Sequence, residues 1–67
     1  MRVSRLHGIV MRNGIQHEID CIATGTWSDG TKVWTECTKD KKLVKPHIKY
    51  RLVNVGHCFE FIQITGR

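Results

Sequence analysis

The sequence predicts an all-β protein: a small five-stranded antiparallel meander curled into an SH3-like or OB-like barrel, with room for one short helical turn near 38–43. Glycine-containing turn signals recur along the chain, and the segments between them alternate apolar and polar residues. With 67 residues there is room for one domain only, 1–67. A sheet this small must curl or close to cover its apolar face. Strands are predicted at 3–11, 15–26, 32–38, 47–53 and 58–65.

The first hairpin has the clearest predicted register. The Asn-Gly pair at 13–14 favours a two-residue turn, because a type I′ turn needs positive φ at both central positions. Positions that sum to 27 then face each other, so that Leu6 opposes Cys21. One face of the pair is mostly apolar in this register and the other is mostly polar, as a half-buried antiparallel pair requires.

A second hairpin is predicted around the Asp-Gly pair at 29–30, and two registers are open for it. A three-residue loop places Cys21 opposite Cys37 and turns Trp34 away from the apolar face. A two-residue loop brings Trp34 over that face instead. Gly25, on the strand before this turn, is a natural place for a bend.

Two registers also remain for the last hairpin. One places Arg51 opposite Phe59 and makes a surface of alternating cations and rings, on which nucleic-acid bases stack. The other, shifted by one residue, pairs Tyr50 with Phe61 inside and Arg51 with Glu60 outside. We favour the shifted register, because it satisfies charge and burial together.

The net charge of +5 is confined to one segment of the chain. Six basic residues and one acid lie between Lys39 and Arg51, and elsewhere the bases and acids cancel. A Lys-rich loop can be a solvated face that hinders edge pairing, but a concentration of charge is how proteins find phosphate backbones. We therefore expect a surface that binds RNA or DNA, with Trp27 or Trp34 exposed beside it. The candidate nucleic-acid-binding residues are Lys39, Lys41, Lys42, Lys45, Lys49, Arg51 and Trp34.

Signatures of the common enzyme classes are absent from the sequence. The six glycines fall at no phosphate-loop or dinucleotide spacing, and neither H-E-x-x-H nor G-x-S-x-G occurs. Three Cys and four His are enough to ligate zinc, but they do not form the closely spaced pairs that zinc sites use. We expect a non-enzymatic protein with free thiols, no metal and no cofactor.

The number and spacing of the cysteines indicate the redox environment of the protein. Three Cys are an odd number and form no C-x-x-C pair, which indicates a reducing, cytoplasmic environment rather than a secreted disulfide scaffold. No apolar run approaches the about 20 residues that cross a bilayer, so we expect no membrane partner.

Tight turns, a small barrel, no catalytic signature and a basic edge together resemble, in general style, the small regulatory proteins encoded by phages and mobile elements. An alternative function from a different class is therefore a protein-interaction module. Such an inhibitor or adaptor would dock onto an acidic protein surface through an edge strand or an exposed Trp.

Overall fold

The computed structural model describes residues 4–65, which form five strands and no helix. The strands are β1 (Arg5–Arg12), β2 (Ile15–Thr26), β3 (Lys32–Cys37), β4 (Lys49–Val55) and β5 (Cys58–Thr65). The predicted all-β class and the five predicted strands are confirmed, although the first residue predicted in β1, Val3, lies outside the described residues. Between residues 4 and 65 there is no helix long and apolar enough to span a membrane.

The sheet closes into a barrel in the order β1-β2-β3-β4-β5. Neighbouring strands in the chain run antiparallel, and β1 closes the ring by pairing with β5. This last pair is parallel, with Ile9 opposite Glu60. Five strands that alternate in direction bring the first and the last together pointing the same way, so the odd strand number explains the parallel closure.

The predicted register of the first hairpin is confirmed along its whole length. Leu6 faces Cys21 and Arg12 faces Ile15, so every pair sums to 27. Asn13 has a φ of 52° and Gly14 a φ of 76°, as the predicted turn requires.

The turn of the second hairpin follows the three-residue register. Thr26 pairs with Lys32, and the backbone N–H of Trp27 donates to the carbonyl of Thr31 at 2.7 Å. Gly30 has a φ of 92°, which a glycine adopts without steric cost. Residues 28–30 are therefore the loop.

The three-residue register holds as far as the pair Gly25–Val33, and neither predicted register holds beyond it, because β2 contains a bulge between Ala23 and Gly25. A bulge inserts one extra residue and moves the side chains beyond it to the opposite face relative to the partner strand. Trp34 consequently faces Ala23 and lies inside the barrel, 6% exposed. Cys21 faces Glu36 and not Cys37.

Both registers predicted for the last hairpin are wrong. β4 continues to Val55, which pairs with Cys58, so the turn consists of two residues at 56–57. Gly56 supplies the positive φ, at 61°. Arg51 faces Ile62 as a result, and not Phe59 or Glu60.

The side chains that the favoured register placed inside nevertheless lie inside. The observed pairing differs from it by two residues, and a two-residue shift leaves every side chain on its original face. Tyr50 is 0% exposed and Phe61 is 1% exposed. The ring of Phe61 lies 6.2 Å from that of Tyr50 and 6.0 Å from that of Trp34, centroid to centroid. The buried core comprises Val10, Ile19, Cys21, Trp34, Ile48, Tyr50 and Phe61.

The segment between β3 and β4 contains a reverse turn where a short helical turn was expected. The N–H of Lys41 donates to the carbonyl of Thr38 at 2.9 Å, and Lys41 has a φ of 65°, a conformation that a right-handed helix cannot continue through. The chain then folds back, and the N–H of Val44 donates to the carbonyl of Glu36 at 3.0 Å.

Candidate functional site

The segment at 38–48, called the basic loop below, connects β3 to β4 and carries most of the predicted site. Its backbone is fixed at both ends. Near β3, Leu43 forms a bridge with Cys37. Near β4, the N–H of Ile48 donates to the carbonyl of Lys45 at 3.0 Å, and Ile48 is anchored in the core at 6% exposure. The loop lysines that this backbone presents are exposed, namely Lys39, Lys41, Lys42 and Lys45.

None of these loop lysines has a carboxylate within ion-pair distance in residues 4–65. The acidic side chains there are largely engaged elsewhere: Glu36 binds Arg12, Asp29 binds Arg51, and two more acids bind His7. One acid, Asp40, lies in the loop itself. The basic loop therefore keeps a net positive charge that no neighbouring carboxylate cancels.

Lys49 continues this charged surface onto β4, whereas Arg51 does not. Both residues are half-exposed and alternate along β4 with the buried Tyr50. The guanidinium of Arg51 donates to the carboxylate of Asp29 at 2.8 Å and to the hydroxyl of Thr31 at 3.0 Å. Arg51 is thus held at the β2–β3 turn, toward the opposite end of the barrel.

The contacts around Asp29 show how firmly this second cluster is built. The hydroxyl and the backbone N–H of Thr31 both donate to the Asp29 carboxylate, at 2.6 and 3.0 Å. Together with Arg51 they hold the pKa of Asp29 well below its usual range. The Arg51 guanidinium also lies 5.1 Å from the centre of the Trp27 ring. This part of the predicted site is already satisfied by contacts within the chain.

Trp34 cannot serve as an exposed stacking residue. The β2 bulge turns it into the core, where its ring packs against Phe61. One Trp was expected to be exposed. Trp27 is partly exposed, and the guanidinium of Arg51 lies over its ring. Its indole Nε1 is buried and has no hydrogen-bond partner within the described part of the chain.

Arg5, which was not predicted as a site residue, also lies at the basic loop. Its guanidinium donates to the carbonyl of Lys39 at 2.8 Å. Nothing in the pattern around position 5 signals this contact, because it joins residues 34 positions apart. Arg5 adds one cation at the start of the loop.

A groove of about 540 Å³, called the loop groove below, lies where the basic loop meets the first hairpin. The first hairpin contributes Met11, Arg12 and Asn13 to its lining, the basic loop contributes Lys45, His47 and Ile48, and β5 contributes Gln63. No carboxylate is among these residues. The contact between the first hairpin and the basic loop could have been predicted from the alternating strand directions, because the β1–β2 and β3–β4 connections of a meander lie at the same end of the barrel.

Arg12 is the one cation of the loop groove that is neutralised. Its guanidinium donates to the hydroxyl of Tyr50 at 2.8 Å and to the carboxylate of Glu36 at 3.0 Å, and these contacts raise the pKa of Arg12. A larger groove, of about 610 Å³, lies between β3 and β4 and is lined partly by Trp34 and Arg51. It lies outside the basic loop.

The three thiols are free. Burial raises the pKa of Cys21 to about 12 and also raises that of Cys37, whereas Cys58 is exposed. Across residues 4–65, no group of three or more His, Cys, Asp or Glu side chains is arranged to hold a metal ion.

Comparison with known proteins gave no match: no family model, no curated protein and no solved structure is significantly similar to this chain.

Proposed function

We propose that this protein is a small non-enzymatic regulatory protein that binds RNA or DNA through the basic loop. One observation carries the proposal. The four loop lysines are exposed and have no carboxylate partner in the described chain, whereas Arg12 and Arg51 are both ion-paired. Cations that the fold itself does not neutralise remain available to an external anion.

The chemistry of lysine suits a repeated anion such as a phosphate backbone. An ammonium group is a compact point charge with three donors on a flexible stem, so it meets phosphates at variable positions. Each phosphate that it neutralises releases condensed counterions, and this release supplies most of the affinity of sequence-independent binding. The backbone hydrogen bonds of the basic loop fix the positions from which these flexible stems extend.

The test is a triple charge reversal, Lys41→Glu, Lys42→Glu and Lys45→Glu, with affinity for nucleic acid measured at several salt concentrations. The fold should persist, since exposed charges contribute little to stability. Affinity should fall by orders of magnitude at low salt. The slope of log affinity against log salt should decrease by about one unit for each phosphate that the variant no longer neutralises.

A matched variant with Arg at the same three positions retains the charge, so it should bind nearly as tightly as the unmodified protein. A folded Glu variant that binds as well as the Arg variant would disprove the basic-loop mechanism. An unmodified protein that binds neither RNA nor DNA at low salt would disprove the proposed function itself.

A protein-interaction module is the second candidate, and a different surface favours it. The outward side of β4 and β5 exposes four aliphatic side chains: Val53 at 42%, Val55 at 51%, Ile62 at 39% and Ile64 at 45%. Exposed apolar patches on small domains commonly mark interaction surfaces. Retention of a partner from cell lysate after nuclease treatment, abolished by Ile62→Lys, would support this candidate.

A further inference from the structure

We propose that the loop groove holds one unpaired nucleotide, so that the protein binds single-stranded nucleic acid in preference to a duplex. This inference rests on the proposed function and names the substrate class. The groove adjoins the basic loop directly, since Lys45 and His47 belong to both. A strand whose phosphates lie along the loop lysines therefore passes the mouth of the groove.

The size of the groove suits a nucleotide. Its volume is about 540 Å³, within the range of small-molecule sites in proteins, roughly 300–1,000 Å³. Its lining is mostly polar and also offers two apolar side chains, Met11 and Ile48, beside Asn13 and His47. A nucleobase presents both kinds of surface, an apolar ring face and a polar edge.

Four of the lining residues each match one part of a nucleotide. The side chain of Met11, 49% exposed, and the imidazole of His47 offer surfaces against which a base plane can lie. The amide of Asn13 both donates and accepts hydrogen bonds, as the edge of a base requires. Lys45, at the same groove, supplies a cation for the adjoining phosphate.

Electrostatics favour an anion in this groove. Among its lining residues Lys45 carries an unpaired charge, and the charge of Arg12 is balanced by Glu36. The lining contains no carboxylate that would repel a phosphate. The net field at the groove is therefore positive.

A concave site favours a single strand because the bases of a duplex are stacked and paired inside it. The element that most commonly reads a duplex is a helix in the major groove, and residues 4–65 contain no helix. A single strand can turn a base out and place it in a pocket. RNA-binding domains commonly bind their ligands in this way. A duplex would reach only the loop lysines.

The experiment measures affinity of the full chain for an oligothymidylate of about 12 nucleotides and for a duplex of equal length, by fluorescence anisotropy. His47→Ala removes the exposed ring, and Asn13→Asp adds a negative charge while tolerating the positive φ. Each should lower affinity for the single strand about tenfold and change affinity for the duplex much less. Circular dichroism checks that both variants fold.

Matched controls lie at the other end of the barrel. His57→Ala and Asn54→Asp make the same chemical changes at exposed positions near the β4–β5 turn, outside the loop groove. These should leave both affinities unchanged.

Equal affinity of the unmodified protein for single strand and duplex would overturn the groove inference and leave the proposed function standing. If the two groove variants lost affinity for the single strand and for the duplex equally, the groove inference would also be overturned and the proposed function would stand. If the unmodified protein bound neither ligand, the proposed function would fail, and this inference with it.

Discussion

Gly8 of β1 lies directly against the ring of Phe61 of β5, across the seam that closes the barrel. A Cβ atom at position 8 would lie 2.6 Å from Cε2 of Phe61 and 2.8 Å from the backbone carbonyl oxygen of Phe59. Neither contact is tolerable, and the second is with backbone, which cannot rotate away. The close approach of β1 and β5 therefore depends on a residue without a side chain.

Gly8→Ala should destabilise the protein by about 1–3 kcal/mol, the usual cost of overpacking a core. Urea denaturation measures this change. Gly25→Ala is the matched control, since a Cβ there would meet only Val33, at 3.9 Å. Equal stability of the two variants would show that β1 does not approach Phe61 and Phe59 this closely.

Arg12 and Tyr50 should be energetically coupled. Tyr50→Phe removes a buried hydroxyl and should cost about 1 kcal/mol, whereas Arg12→Met leaves that hydroxyl and Glu36 without their donor and should cost about 2–3 kcal/mol. The double variant should lose less free energy of unfolding than the sum of the two single variants. In the double variant there is no Tyr50 hydroxyl left without its donor when Arg12 is removed. Strict additivity in denaturant midpoints would contradict this coupling.

His7 should make stability depend on pH. Its ring lies between two carboxylates, with Nε2 at 2.9 Å from Glu18 and Nδ1 at 2.8 Å from Asp20, and these contacts raise its pKa. A raised pKa in the folded state means that protonated His7 stabilises the fold. This contribution is fully present below the unfolded pKa of about 6.5 and is lost as pH rises through the folded pKa.

The measurement compares denaturant midpoints of the unmodified protein and His7→Gln at about pH 5.5 and pH 8.5, on either side of the titration. The unmodified protein should have its advantage at the lower pH only. Replacing Glu18 with Gln and Asp20 with Asn should lower the His7 pKa in an NMR titration. An advantage that grows toward high pH would contradict the assignment.

The thiols should differ in reactivity. Cys58 is exposed, whereas Cys21 and Cys37 are buried and burial raises their pKa values, so little thiolate is available to react. A thiol reagent added to the folded protein should label Cys58 first, as mapped by mass spectrometry. The unfolded chain should take three labels. Labelling of Cys21 at the rate of Cys58, or fewer than three labels after unfolding, would contradict the structure.

Local chemistry was enough to predict the strands and the first hairpin. The Asn-Gly pair at 13–14 specifies its turn through backbone conformations that few other residues adopt, and the register follows from the turn. Alternation of side chains then places Tyr50 and Phe61 inside, and this remained right even where the predicted pairing was off by two residues. Face assignments are robust because they depend on parity alone.

The candidate site depends more on tertiary structure. The charge of the basic loop can be counted in the sequence, but whether each cation is free depends on which acid comes near it. Arg51 meets Asp29 across 22 positions, and no local pattern reports that contact. Asn13 and His47 line the same groove because the directions of the strands place their two connections at one end of the barrel, and no local pattern reports this either.

By itself the sequence determined the all-β class, the inward and outward faces of the first and last hairpins and the single segment that carries the net charge. These follow from turn chemistry, from the two-residue period of a strand and from composition. Only the tertiary structure decided that Trp34 is a core residue, because one bulged position in β2 reversed its face. It likewise decided that β1 meets β5 where Gly8 leaves room for Phe61, since a contact between distant strands is set by the packing of the whole barrel.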